Sequence, residues 1–512
     1  MKKLATVVAT ILMAITSLLF SSGKVSPVKA QMAPPEILDK HLQLRTVVTG
    51  LLVPTSMAFI GDDDILVLEK ETGKVKRVKN GVMQGDVLDL NVNFASERGL
   101  LGIAVDPQFR TNGSVYLYWT ESSIGADSPN LADVMLLANR VDRFHWNGLS
   151  LTQEINLIKL RTLQEDAGQP PRGNHNGGVI TFGLDGKLYI FMGDNGRRGN
   201  LQNLPCGPTP MCPGPTVMDD QFGGPAPDNA HLTGVVLRLN SNGTTPGDNP
   251  FFAAGAAMGG DVGANIQKVF SYGHRNSFGI AVDPESGHVW LQENGDDSFS
   301  EINRLEPGMD GGWIQICGPV ERIAQFKQIE TTFGNMQLQQ IRWPPTNIAN
   351  TPQEALSRLF VIPGSHYKDP EFSWKWEVAP GGIGFVNGRG LGGKYKGDLF
   401  VGAGTPILQG GYLFRFRLSG NRNRINVDDP RLNDKVADNL AKHEITESES
   451  LLIGRNFGIT SDIEQGPDGH LYLVSLSKGT IFEISRPKIN GKGDDDDDDD
   501  DDNNNKDKHG KN

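Results

Sequence analysis

Long apolar runs are almost absent from this sequence. One stretch, Leu4 to Phe20, follows Lys2 and Lys3 and precedes Val28-Lys29-Ala30, a small-x-small cleavage pattern. Residues 1–30 therefore read as an export signal, with a retained anchor as the alternative; the run is slightly short for a bilayer. No other segment is apolar enough to cross a membrane. The expected location is periplasmic or extracellular, with no membrane span once the signal is removed. Cysteine is scarce: Cys206, Cys212 and Cys317 among 512 residues. That excludes a disulfide-built fold, and no zinc-type Cys/His spacing occurs. Cys206 and Cys212 would close the loop Cys-Gly-Pro-Thr-Pro-Met-Cys; pairing of Cys317 with either is the alternative. Basic clusters are missing and the formal charge is −12, so a nucleic-acid surface is excluded. Helical periodicity is poor; only short stretches such as 351–359 suit a helix. No Walker A loop, GxSxG elbow or HExxH pair is found.

Apolar residues make up 38% of the chain, enough for a real core. Gly 62 and Pro 30, about 18% together, call for many tight turns. Nine consecutive aspartates, 494 to 502, cannot bury apolar surface, so residues 489–512 read as a disordered tail. Between the ends one pattern recurs: a Gly/Asp/Asn turn followed by apolar residues. It starts strands near Ile65, Val115, Leu188, Val289, Leu399 and Leu471. Turn-then-strand is a hairpin signature. Six such units over about 450 residues predict an all-β fold, a six-bladed β-propeller spanning 43–488 behind a lead-in at 31–42. A β-sandwich pair is the alternative. The segments starting at Gly73 and Gly479 suit outer strands, and residues 43–51 suit a strand closing the ring on the last blade.

A propeller gathers loops from all blades at one face, so residues 200 apart in sequence can meet. Four polar loops stand out: Glu97-Arg-Gly-Leu-Leu-Gly, Gly173-Asn-His-Asn-Gly-Gly178, Tyr272-Gly-His-Arg-Asn-Ser and Glu293-Asn-Gly-Asp-Asp297 running on to Glu301. His175, among Gly and Asn, suits either a general base or a backbone-bonding turn histidine. Arg275 and Asn276 suit either a carboxylate clamp or an inter-blade ion pair. His274 suits packing between blades. The run from Glu293 to Glu301 is rich in hard oxygen and suits Ca²⁺, without EF-hand spacing.

Together these loops resemble the soluble PQQ-dependent sugar dehydrogenases, the glucose/sorbosone dehydrogenase family. The matching pieces, in the family's order, are Pro54-Thr-Ser-Met-Ala-Phe, Glu97-Arg-Gly-Leu-Leu-Gly-Ile-Ala, Asn174-His-Asn-Gly-Gly, Gly273-His-Arg-Asn-Ser-Phe-Gly, Glu301-Ile-Asn with Gly311-Gly-Trp, and Gln465-Gly-Pro-Asp-Gly-His-Leu-Tyr. The resemblance implies a six-bladed propeller that oxidises an aldose to its lactone, passing hydride to PQQ and electrons to an external acceptor. It implies His175 as catalytic base and Arg275 polarising the quinone, with Glu97, Asn174 and Asn276 on the cofactor. Gly295 and Asp296 would hold a bridging Ca²⁺ through backbone carbonyls, and Glu301 a structural one. The chain departs from the family where cations meet the cofactor's carboxylates. Gln409 stands for a lysine, and Ile459 and Ser461 for two arginines, with only Arg455 nearby. These departures keep two alternatives open: a non-redox sugar- or protein-binding propeller, and a Ca²⁺-dependent lactonase-like hydrolase.

Overall fold

The computed structural model describes residues 33–163, 172–196, 222, 227–337, 345 and 348–487. The export signal, Cys206, Cys212 and the aspartate tail lie outside the described residues. Each of the six turn-then-strand recurrences becomes the second strand of its own sheet. These strands are Asp64–Glu69, Ser114–Thr120, Leu188–Met192, Val289–Glu293, Leu399–Ala403 and Leu471–Ser475. All are buried along their whole length. That explains their unbroken apolar character: sheets stacked on both faces leave no polar side for alternation.

The innermost strand of each sheet precedes these: Pro54–Gly61, Leu100–Val105, Ile180–Phe182, Ile280–Val282, Pro380–Phe385 and Thr460–Gln465. Each packs against its counterpart in the next sheet, and Thr460–Gln465 packs back on Pro54–Gly61. Among the described residues six sheets thus close a ring, an all-β propeller. Glycine permits the tight approach at the centre. A Cβ on Gly102 would sit 2.1 Å from the Gly178 carbonyl oxygen, and one on Gly381 would sit 2.2 Å from that of Thr460.

The ring is closed between sequence ends. Gln43–Thr49 pairs antiparallel with Thr480–Ser485, from Gln43 opposite Ser485 to Thr49 opposite Thr480. The segments starting at Gly73 and Gly479 form third strands, Lys74–Lys79 and Thr480–Ser485, not outermost ones. Val82–Asp89 and Gln43–Thr49 lie outside them.

Helices are more extensive than periodicity suggests. Pro352–Ser357 is helical, starting at a Thr351 side chain that accepts from Glu354 N–H. Phe252–Met258, Gly260–Lys268 and Ile323–Gln337 add further helix. Ile323 and Phe326 bury against Trp313, Ile316 and Cys317, so tertiary packing sustains a segment with weak amphipathicity. Cys317 is a buried free thiol. Among the described residues no helix is long and apolar enough to cross a membrane.

Leu473 lies at the centre of the ring-closing sheet and is fully buried. Leu473→Ala should cost about 2–5 kcal/mol through lost burial and a residual cavity. Chemical denaturation measures it; a loss under about 1 kcal/mol would mean the sheet's interior repacks freely.

Candidate functional site

The predicted loops meet on one rim of the ring, where chain enters the inner strands. Glu97 lies before Leu100–Val105, the Asn174–Gly178 loop before Ile180–Phe182, and the His274–Gly279 loop before Ile280–Val282. Glu97 ties two of them together: its Oε2 accepts the His175 N–H at 2.6 Å and the Asn276 side-chain amide at 3.1 Å. Asn276 in turn accepts the Gly177 N–H at 3.2 Å.

His175 adopts a left-handed backbone, φ 55°, which a non-glycine residue holds only under constraint. The Glu97 bond and an Asn195 N–H donated to its carbonyl at 3.1 Å supply that constraint. Its imidazole Nδ1 lies 2.6 Å from Oδ1 of Asp194, a residue not singled out by the sequence motifs. Asp194 is fully buried. Burial pushes its carboxyl up, but the His175 imidazole and the Arg275 guanidinium outweigh burial and hold it below the usual carboxylate range. An ionised carboxylate only accepts, so Nδ1 carries the proton and Nε2 is left as the basic nitrogen. Asp194 also accepts from the Trp313 indole at 2.8 Å and the Gly196 N–H at 2.6 Å. The buried carboxylate thus orients His175 firmly.

Arg275 donates to the Asn294 carbonyl and to Asp296, each at 2.9 Å, and stacks over Trp313 at 5.5 Å. Its own backbone is fixed by Glu293, which also accepts from His274 Nδ1 at 2.6 Å. The expected His274 packing is observed: the ring is fully buried, 2.9 Å from Ser271. Asn174 stands beside Gly196, whose added Cβ would meet its Oδ1 at 3.1 Å.

The acidic run from Glu293 to Glu301 does not assemble one oxygen cage. Its carboxylates are dispersed onto separate partners. Glu293 serves the His274 loop, Asp296 serves Arg275, and Asp297 takes the Lys442 ammonium at 2.7 Å. Lys442 also donates to the Asp296 carbonyl at 3.1 Å. An ammonium on that carbonyl and a guanidinium on that carboxylate place fixed positive charge at Asp296 as the loop stands. Gly295 has a steric role: a Cβ there would lie 1.8 Å from the Ser298 carbonyl oxygen.

Glu301 is a different environment. Its Oε2 accepts the Asn303 amide at 2.9 Å, and Asn303 also reaches Glu293 at 3.0 Å. Burial, then the nearby Glu293 charge, pushes the Glu301 carboxyl up to about 8. A buried carboxylate so placed suits an added cation.

Below these loops a cavity of about 650 Å³ runs along the inner strands. Glu97, Lys70, Asn294, Ile459, Ser461 and Asp462 are among its lining residues. Lys70 donates to the Phe94 and Ser96 carbonyls at 3.2 and 2.8 Å. Ile459 and Ser461 put neutral groups on this wall. Gln409 sits to one side, donating to the Ser477 carbonyl and accepting from Lys478, both at 3.1 Å. Lys478 and Lys442 are cations near the site that motif matching missed, because neither belongs to a recognisable motif.

A family model described as Glucose / Sorbosone dehydrogenase matches residues 51–343. An aldose sugar dehydrogenase of Escherichia coli is 23% identical over 84% of this chain and 90% of its own. Quinoprotein glucose dehydrogenase B of Acinetobacter calcoaceticus is 27% identical over 58% of this chain and 57% of its own. Among solved structures, the PQQ-bound aldose sugar dehydrogenase of Streptomyces coelicolor aligns with TM-score 0.53 at 22% identity, over 88% of this chain and 98% of that one. At that identity it supports the fold alone.

Asp310 braces the same rim: a Cβ on Gly273 would lie 2.0 Å from its Oδ1. Burial pushes its carboxyl up to about 8, while the Gly312 N–H bond pulls the other way. The folded state therefore keeps a proton that the unfolded chain releases above about pH 4. Stability from this group is full below that pH and is lost as pH rises towards 8. Asp310→Asn should flatten the loss, so the variant's melting temperature relative to wild type should be higher at pH 8 than at pH 5. Equal differences at both pH values would mean that Asp310 is ionised in the fold.

Proposed function

The chain belongs to the glucose/sorbosone dehydrogenase family, and from that membership we propose that it oxidises an aldose at the anomeric carbon to the lactone. The observation carrying this is the His175–Asp194 pair at 2.6 Å, on the rim where Glu97, Arg275 and Asn276 converge. Each of the six sheets is taken as one blade of a six-bladed propeller. The buried polar groups at the rim fit the reacting end of a PQQ-class quinone. Bound there, PQQ supplies the two-electron acceptor for the hydride leaving the anomeric carbon. Glu97, Asn174, Arg275 and Asn276 would hold that end, and Gln409 with Lys478 would face the carboxylates.

The chain's own contribution is proton transfer and electrostatics. His175 takes the anomeric hydroxyl proton at Nε2. Asp194 holds the ring and stabilises the imidazolium that forms, acting as a positioning residue. Arg275 keeps positive charge where negative charge develops, and burial strengthens its field. No step is routed through a cation at Gly295 and Asp296, where Arg275 and Lys442 already supply positive charge. Glu301 is proposed as a structural cation site.

One observation favours a second function. Gln409, Ile459 and Ser461 are neutral where the family's cations stand, and each charge-assisted hydrogen bond contributes about 1.5–3 kcal/mol. A sugar- or protein-binding propeller without a cofactor would have that character.

Titration of the protein with PQQ, followed by dye reduction over an aldose panel, separates the two. Wild type should bind PQQ. His175→Asn should retain binding and lose turnover by about 10²–10⁴-fold. Arg275→Ala should lose both binding and turnover. Absence of PQQ binding by wild type and by Gln409→Lys alike would leave the binding module standing. Separately, Ca²⁺ should raise the melting temperature of wild type more than that of Glu301→Gln, which keeps the same aspartate tail. Equal shifts would remove Glu301 as a cation site.

A further inference from the structure

The turns at the far ends of the inner strands lie on the opposite rim from His175, and two of them are internal copies. Gly183-Leu-Asp-Gly-Lys187 and Gly466-Pro-Asp-Gly-His470 share one hydrogen-bond pattern. In both, the first glycine N–H reaches the last residue's carbonyl, and the second glycine N–H reaches the first glycine's carbonyl, all at 2.9 Å. In both, the aspartate accepts the backbone N–H two residues on at 3.0 Å. In both, it also accepts a tyrosine hydroxyl four residues on, from Tyr189 at 3.0 Å and from Tyr472 at 2.8 Å.

The copies differ in the side chain opposite that tyrosine. Tyr189 faces Arg238, whose guanidinium donates to Asp185 at 2.9 Å. Tyr472 faces Glu483. A second carboxylate therefore stands where the sibling turn has its cation. His470 fills the gap: its Nδ1 lies 2.8 Å from Asp468 Oδ2 and 2.9 Å from Glu483 Oε1. That nitrogen is buried, yet it is aligned for a hydrogen bond with neither oxygen. Among the described residues this is the one group of three such side chains whose donor atoms all lie within 4.8 Å of one another. Arg45 pairs with the other oxygen of Glu483, leaving Oε1 turned towards His470.

We propose that Asp468, His470 and Glu483 form a binding site for a borderline divalent transition ion of the zinc class. One imidazole nitrogen and two carboxylate oxygens match such ions; Ca²⁺ and Mg²⁺ prefer oxygen alone. Tetrahedral bonds of about 2.0–2.1 Å place ligand atoms about 3.3 Å apart, so the His470 nitrogen needs to withdraw from each carboxylate oxygen by only a few tenths of an ångström. Asp468 is exposed, which leaves room for a water in the fourth position. The ion takes the role of the sibling turn's arginine. It fastens the turn to Thr480–Ser485, the strand that receives the ring-closing segment Gln43–Thr49. The site is structural, and its failure would leave the proposed dehydrogenase activity untouched.

The test uses the full-length protein freed of metal with chelator, then titrated with Zn²⁺ alone and, separately, with Co²⁺. Wild type should gain melting temperature with about one equivalent of Zn²⁺, and Co²⁺ should give a visible ligand-field band. His470→Asn and Asp468→Asn keep the turn and the aspartate tail. Each should lose the cobalt band and at least about tenfold in zinc affinity. No cobalt band in wild type would overturn the site whatever the variants do. Equal zinc shifts in wild type and both variants would overturn it as well, assigning the ion to the tail.

Discussion

Everything at the candidate site depends on one pairing, that of Gln43–Thr49 with Thr480–Ser485. Among the described residues the six inner strands pack on their neighbours around the ring, so the arrangement is held by closure. An open ring would leave two inner strands, Pro54–Gly61 and Thr460–Gln465, without their contact. The Asp462 carboxylate, which accepts from Ser56 and from the Met57 N–H at 2.8 Å, spans that seam. Burial raises the Asp462 carboxyl to about 6, so the seam contains an acid whose charge is costly there. The backbone pairing outside must therefore carry the closure, and a strand from the far end of the sequence does so.

Closure converts distant loops into a single polar network. Glu97 bonds both His175 and Asn276 although the three arise in three different sheets' entry loops. Asp194 extends the network to Trp313, and Trp313 underlies Arg275. Nearly every group is buried, and the His175, Asn276 and Trp313 donors each meet a carboxylate. Such networks are rigid because a partly broken one leaves buried polar atoms unpaired. His175 is consequently held in one orientation before any substrate arrives. Its left-handed backbone is the local strain that this network sustains.

The second strands were legible in the sequence because a Gly-containing turn followed by apolar residues needs no long-range information. The closing strand was legible from its place before the first such unit. The loops carrying Glu97, His175, Arg275 and Asn276 were legible because Gly and Asn crowd around charged or aromatic side chains. Asp194 was not, although it follows the strand Leu188–Met192 directly. Nothing local marks an aspartate as a histidine's partner 19 residues away. Lys442 and Lys478 escaped for the same reason: their acceptors, Asp296 and Gln409, are 146 and 69 positions distant. The helix Ile323–Gln337 escaped because packing on Trp313 and Cys317, rather than periodicity, stabilises it.

The loop 294–297 shows how an acidic run is divided among partners in the fold. Read along the chain, Glu293, Asp296, Asp297 and Glu301 look like ligands for one ion. In the fold the chain bends at 296–297, so Asp296 and Asp297 meet Arg275 and Lys442, while Glu293 and Glu301 face each other across a strand pair and share Asn303. Two fixed cations, Arg275 and Lys442, meet the part of the run nearest His175. A guanidinium and an ammonium provide positive charge at that loop, and neither must be recruited from solution. Fixed charges of this kind are already oriented when negative charge develops, so no reorganisation is required at the moment of reaction. Their acceptors hold them in turn: Asp296 neutralises part of Arg275, and Asp297 part of Lys442. Asp194, bonded to His175 and held below the usual carboxylate range, adds a fixed negative charge on the other side of the network.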